Sequence, residues 1–168
     1  LRAQGIKKPV LLMAPFDERD LQAAVASDIM PMGYTPIRDL LDREAQRLGK
    51  PIAIHVCVDT GLGRVGVPHA QAPALILDLA ARKDVSIAGM EMTYTEDFEF
   101  DREQTRRFTA LAGELKSAGI NVGRLHAAST YTLFQHGEEA HFDMVRVGMG
   151  LLGIYPDAKF RAMKRLTL

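Results

Sequence analysis

The sequence predicts an α/β fold with a parallel sheet, because short apolar runs and segments of helical spacing alternate along its whole length. The first run, 9–14, is followed by a helical segment at 17–26 and a second run at 29–34. A helix over 37–48 opens after Pro36 and stops at Gly49, the usual punctuation of helix ends. The third run, 52–58, leads through a glycine-rich turn and Pro68 into a helix at 70–81. The fourth, 85–92, leads into a long helix at 101–118, closed by Gly119. A fifth run at 122–128, a short helix at 130–136 and a sixth run at 144–154 complete the series. Few of these runs alternate polar with apolar residues, which fits strands buried on both faces. The pattern permits a doubly wound sheet or a (β/α)8 barrel, since both need crossover helices between parallel strands. Six units in 168 residues fall short of the eight strands and about 250 residues of a whole barrel, so a barrel here would be incomplete.

With 47% hydrophobic residues and 21 basic against 21 acidic side chains, the chain is an ordinary globular sequence with one core and no net formal charge. That balance gives no electrostatic reason to expect nucleic acid or an anionic membrane as a partner. No stretch approaches the roughly 20 apolar residues of a membrane span, and the opening Leu1-Arg2-Ala3-Gln4-Gly5 is not a basic-then-apolar signal. The single Cys57 excludes an intramolecular disulfide and suits a reducing compartment, so a cytoplasmic location is expected. The chain opens without Met, as a piece cut from something longer would.

The segment Asp59-Thr60-Gly61-Leu62-Gly63-Arg64-Val65-Gly66 contains a literal GxGxxG after a strand. In a dinucleotide site those glycines open a helix, and an acid about 20 residues on ends the next strand. Here Pro68 delays the helix and Asp84 precedes the next strand, so the context disagrees with that reading. A plain tight turn is the bland alternative. Arg64 favours a functional turn, because a guanidinium held between glycines can fork onto a carboxylate or phenolate oxygen. Downstream, Leu125-His126-Ala127-Ala128-Ser129-Thr130 ends a run with two hydroxyls, and Met144-Val145-Arg146-Val147-Gly148-Met149-Gly150 sets an arginine inside an apolar run. Hydroxyls and glycine amides after late strands are what a barrel uses to hold a phosphate. A buried Arg146 needs a partner, with Asp143 the nearby acid.

Three segments in this order resemble the alanine racemase family: 58–66 around Arg64, His126-Ala127-Ala128-Ser129-Thr130, and Phe142-Asp143-Met144-Val145-Arg146-Val147-Gly148. The opening 1–12 and the Gln104 to Phe108 spacing match that pattern too, so the resemblance covers nearly the whole chain. It implies an incomplete (β/α)8 TIM-type barrel over 1–156 that binds pyridoxal 5'-phosphate, with 157–168 starting a connection toward a C-terminal β domain. It implies that Arg64 contacts the substrate carboxylate and the cofactor's phenolic oxygen, and that Arg146 hydrogen-bonds the pyridine nitrogen. His126 and Thr93 stand at cofactor-site positions, and Ser129, Thr130, Gly148 and Met149 at phosphate-binding ones. No metal is implied. The activity implied for the full-length protein is racemisation of alanine, supplying D-alanine for peptidoglycan, by a homodimer. Serine or a broader amino-acid range, and a non-catalytic pyridoxal-phosphate-binding homologue, are the alternatives.

The resemblance also marks departures. The family's cofactor lysine lies on the first barrel strand and its catalytic tyrosine in the C-terminal domain, so both are expected outside this segment, and the segment alone is expected to be inactive. Lys7, Lys8, Lys50, Lys83, Lys116, Lys159 and Lys164 do not fall where a barrel places catalytic groups. Thr93 stands where the family carries a histidine that stacks on the cofactor, with Tyr94 as the nearest ring to replace it. Cys57 stands where many members carry a carbamylated lysine that supports the turn arginine, and Ser129-Thr130 replaces Asn-Ser.

Overall fold

The structure, a computed structural model, describes residues 1–34, 38–154 and 158–162. Five parallel strands lie side by side in chain order: β1 (Val10–Leu12), β2 (Ile29–Gly33), β3 (Ile52–Asp59), β5 (Val85–Glu91) and β6 (Arg124–His126). The two-residue β4 (Val67–Pro68) pairs with the end of β3. Helices α1 (Glu18–Ala26), α2 (Arg38–Leu48), α3 (Ala72–Ala80) and α4 (Phe98–Ser117) link successive strands, and α5 (Thr130–His136) follows β6. Strand order that follows chain order is the order of a β/α barrel, whereas a doubly wound sheet reverses at a switch point. The choice that hydrophobic periodicity leaves open is therefore settled by register: β1 on β2, β2 on β3, β3 on β5 and β5 on β6.

Local chemistry fixes most element boundaries. Asp17 accepts the Asp20 amide and Asp20 returns the bond, a capping box that starts α1. Asp97 accepts the Phe100 amide, so α4 begins at Phe98, three residues before the expected 101. Gly49 and Gly119 follow α2 and α4 with φ of 63° and 77°, the left-handed geometry that glycine adopts without strain. The predicted helix start after Pro36 involves 35–37, which lie outside the described residues. Pro68 sits in β4 and not at a helix start; α3 instead carries Pro73 in its first turn. The opening segment forms only a short 3-10 turn, Arg2–Gln4.

The run at 144–154 departs most from expectation. It makes one parallel bridge, Met144 to His126, and then turns into a 3-10 helix, Met149–Leu152. Glycines at 148, 150 and 153 break strand geometry there, and Val145, Met149, Leu151, Leu152 and Ile154 are exposed. Of the expected connection at 157–168, the short helix α6 (Ala158–Ala162) is described, and 157 and 163–168 lie outside the described residues.

The core lies between sheet and helices. Leu21 and Leu41 from α1 and α2, Ile76 from α3, and Phe108 from α4 are fully buried against Ile54 and Met90 of the sheet. Each such side chain contributes roughly 1.5–3 kcal/mol relative to exposure. This packing holds the carboxyl ends of β3, β5 and β6 together at one end of the sheet, the end where barrels carry their sites.

Candidate functional site

The glycine-rich turn after β3 folds back on its own acid. Asp59 accepts the amides of Gly61 (2.9 Å) and Gly63 (3.1 Å), so these N–H groups face a carboxylate and not an incoming phosphate. The chain then runs through β4, and α3 starts only at Ala72, so the motif opens no helix and the dinucleotide reading loses its physical basis. Gly61 has φ of 139° and lies under the Phe100 ring, where a Cβ would approach Cζ to 2.6 Å. Helix α4 clamps the turn: Arg107 Nη1 donates to Thr60 O (2.8 Å), and Gln104 Nε2 donates to Thr60 Oγ1 (2.9 Å) and Thr93 O (3.0 Å). The Cys57 thiol reaches Val65 O at 3.7 Å, tying strand to turn. Burial pushes that thiol up to about 12, so it stays protonated and unreactive. Arg64 is exposed on this turn, and its charge acts on both Cys57 and Arg146.

Arg146 docks across the ends of β5 and β6. Its Nη2 donates to Met92 O (2.8 Å), Ala127 O (3.0 Å) and Thr93 Oγ1 (3.3 Å), and its Nη1 meets His126 Nδ1 at 2.8 Å. These contacts dictate a proton arrangement. A guanidinium only donates, so His126 Nδ1 must accept and its proton must sit on Nε2. That Nε2 lies 2.7 Å from His55 Nδ1, which must accept in turn. Both imidazoles are therefore neutral along one chain of donors starting at Arg146. Burial first, and the Arg146 charge next, pushes His126 down to about 3; burial also lowers His55, with Arg124 and Arg146 adding to it. Gly89 of β5 makes room for the His55 ring, since any Cβ there would overlap it.

The acid nearest Arg146 is Glu91, at 3.6 Å from Nη1, and not Asp143, whose Oδ2 instead accepts the Leu125 amide (2.8 Å). Glu91 is 1% exposed, and burial, opposed by Arg146, pushes its carboxyl up to about 7.

At the end of β6, Ser129 caps α5 through a capping box with Thr132. The neighbouring Thr130 Oγ1 accepts the amides of Gly148 (3.3 Å) and Gly150 (3.1 Å), which fills its two lone pairs and leaves its O–H as a donor. The Gly148 amide is thus spent within the protein, while open space lies over its α-carbon. Met149 begins the 3-10 turn, so the turn cannot satisfy its amide. Glu96, at φ 70°, brings its Oε1 to 3.5 Å from Ser129 Oγ. Tyr94 packs toward the helices. It is buried, bonds Thr105 through its hydroxyl (2.9 Å) and stacks on His136, which pairs with Asp101 at 2.9 Å. It braces α4 and α5 on the outer side of the sheet.

The structure thus brings together Thr93, His126 and Arg146 in direct contact, with Thr130 bonded to Gly148 beside them. The profile of the family described as alanine racemase, N-terminal domain, matches residues 1–156. The chain belongs to this alanine racemase family. An alanine racemase of Symbiobacterium thermophilum is 32% identical over 161 residues, 93% of this chain and 42% of that protein. The chain therefore spans about two fifths of the length of such a relative. An alanine racemase of Clostridium difficile 630, solved in complex with cycloserine, superposes with a TM-score of 0.86 over 94% of this chain and 44% of its own, at 21% identity. A histidine racemase of Leuconostoc mesenteroides gives 0.75 over 91% of this chain and 42% of its own, at 23% identity. The fold is accordingly an incomplete TIM-type β/α barrel.

Within that fold, two buried residues near Arg146, His55 and Glu91, belong to no sequence motif. Glu91 is the one acid inside the apolar run at 85–92, the only mark it leaves in the sequence. His55 carried none, because its partner lies 71 residues away. Lys7 and Lys8 precede β1, Lys50 precedes β3 and Lys83 precedes β5, all at the end of the sheet opposite the site, and Lys116 lies near the end of α4. No helix among the described residues is long and apolar enough to cross a membrane.

Proposed function

We propose that the complete protein carrying this chain is a pyridoxal-phosphate-dependent racemase of alanine, and that 1–156 supplies part of its cofactor-binding barrel. The observation that carries this reading is the docked Arg146: a protonated guanidinium fixed at the carboxyl ends of β5 and β6, in a chain of the alanine racemase family. The donor set suits a phosphorylated pyridine. Arg146 offers a hydrogen bond to a ring nitrogen, and Thr130 O–H, Ser129 and the Met149 amide offer donors to a phosphate. The Gly148 contribution is open space and not its amide. When bound, pyridoxal phosphate would draw electrons from the amino acid's α-carbon, making its proton removable.

The residues of this chain then have separate tasks. Arg146 keeps its proton at neutral pH, so the ring nitrogen facing it would stay unprotonated and the electron sink moderate, which favours returning the proton over side reactions. Its partner His126, with His55 behind it, is neutral and holds its orientation without adding charge. Arg64, on the exposed turn braced by Arg107 and Gln104, would orient the substrate carboxylate. A group that removes the α-proton and one that returns it would come from elsewhere in the complete protein, as would the cofactor lysine, a homodimeric partner and much of the side-chain pocket.

The test is racemisation of L-alanine by the complete protein with pyridoxal phosphate, followed by chiral separation. Formation of D-alanine supports the reading, and its absence alongside saturable cofactor binding favours a non-catalytic pyridoxal-phosphate-binding homologue. Thr93 and Cys57, in place of histidine and lysine, are the observations that keep this second reading open, and serine and histidine belong in the same assay.

A further inference from the structure

Glu91 closes β5 directly opposite Cys57 in the sheet register, in a run that is otherwise apolar. Both of its carboxylate oxygens are buried and have no hydrogen-bond partner among the described residues. Around it stand Cys57 from β3, which keeps its proton, and His126 from β6 at 3.7 Å, neutral with His55 behind it. Arg146 from the segment after α5, at 3.6 Å, is the permanent cation against it, with Arg64 of the turn acting on the same surroundings. A well-packed apolar residue would serve the core better than a carboxyl that must shed its water and gains no hydrogen bond.

We propose that Glu91 is a positioning residue: its carboxylate, beneath the guanidinium, supplies the negative charge that keeps Arg146 docked across the ends of β5 and β6. This rests on the reading that Arg146 faces pyridoxal phosphate. Its signature is a split between stability and binding. Ionised Glu91 burdens the fold while it orders the arginine, so Glu91→Gln relieves the one and loosens the other.

The experiment uses the complete protein and compares wild type, Glu91→Gln, Arg146→Met and the double variant at pH 8. Pyridoxal phosphate affinity is followed by fluorescence quenching, and urea unfolding is followed without cofactor. Glu91→Gln is expected to weaken pyridoxal phosphate binding by about tenfold while leaving the unfolding midpoint equal or higher, and to have no further effect on binding once Arg146 is Met. Glu91→Asp, which keeps the charge, is expected to retain most of the affinity. The loss is expected to shrink as pH falls below about 7, where Glu91 gains its proton in the wild type. A lower midpoint with the same binding loss in both arginine backgrounds would mean packing alone and overturns the proposal. If wild type binds no pyridoxal phosphate, the functional reading fails instead. The cofactor-free cycle then decides: Arg146→Met must destabilise more with Glu91 present than in the Glu91→Gln background, and equal effects overturn the proposal.

Discussion

Gly89→Ala tests the buried donor chain at its far end. A Cβ at this position would overlap the His55 ring and stand 2.7 Å from Arg124 O, a backbone atom of β6 that cannot yield. The ring must therefore swing away, which breaks its 2.7 Å bond to His126, and β5 must shift against β6. Overpacking of this kind costs about 1–3 kcal/mol, and leaving a buried polar group unpaired adds a similar amount, so about 2–6 kcal/mol in total is expected. Urea unfolding of the complete protein is the assay, read as a lower midpoint at unchanged slope. Gly113→Ala is the internal control: this glycine lies within α4 with nothing within 4 Å of a Cβ, so the same change should raise stability by about 0.5–1 kcal/mol. A Gly89→Ala protein within about 0.5 kcal/mol of wild type would refute the packing of His55 against β5 and, with it, the enforced proton arrangement.

Stability should form a plateau between about pH 4.5 and 6.5 in the contributions of two buried groups. Glu91, raised from 4.5 to about 7, contributes stability that is present below pH 4.5 and lost as pH rises through 7; the full effect is on the order of 3 kcal/mol. His126, lowered from 6.5 to about 3, contributes stability that is present above pH 6.5 and lost as pH falls toward 3. The two slopes oppose each other across that window, so unfolding of Glu91→Gln should show stability rising from about pH 4.5 to 6.5 where wild type is flat, and an unchanged profile would place the titration elsewhere. Glu96→Gln removes a carboxylate from beside Ser129 and should tighten pyridoxal phosphate binding by about threefold, measured by titration; unaltered affinity would show that the acid does not face the phosphate. Arg64→Lys keeps the charge but loses the planar fork, so KM for alanine should rise about tenfold or more with a smaller change in kcat, and matched kinetics would remove Arg64 from carboxylate binding.

Much of this fold was legible because its signals are local. The helices at 17–26 and 130–136 appear within a residue of their expected bounds, since Asp17 and Ser129 cap them from inside the same turn. The run at 144–154 misled because hydrophobicity cannot distinguish a strand from an apolar turn awaiting cover, and the glycines that end it also occur within barrel strands. Arg146 could be recognised as needing a partner, but its partners are carbonyls of Met92 and Ala127 and a carboxyl 55 positions away, and no spacing rule relates them. Asp143 was the acid nearest in sequence, whereas the parallel sheet makes β5 and β6 the nearest in space.

The departures from the family pattern, which look like separate losses along the sequence, form one patch in the structure. Cys57 and Glu91 are cross-strand partners, and Thr93, two residues past Glu91, takes a proton of the same guanidinium that Glu91 faces. The resemblance would put a carbamylated, and so negatively charged, side chain at position 57. Here that position is a neutral thiol, and the neighbouring strand carries a carboxyl. The buried acid at this end of the sheet is Glu91, which faces Arg146 at 3.6 Å. The turn that carries Arg64 is held by Asp59, Gln104 and Arg107. Cys57→Lys would bury an ammonium against the Glu91 carboxyl across the strands, and it should lower stability more in the Glu91→Gln background, where the ammonium loses its counter-charge. Urea unfolding of the single and paired variants decides the matter: additive effects would show that the two positions do not interact, and a loss in the paired variant larger than the sum of the single effects would show that they do.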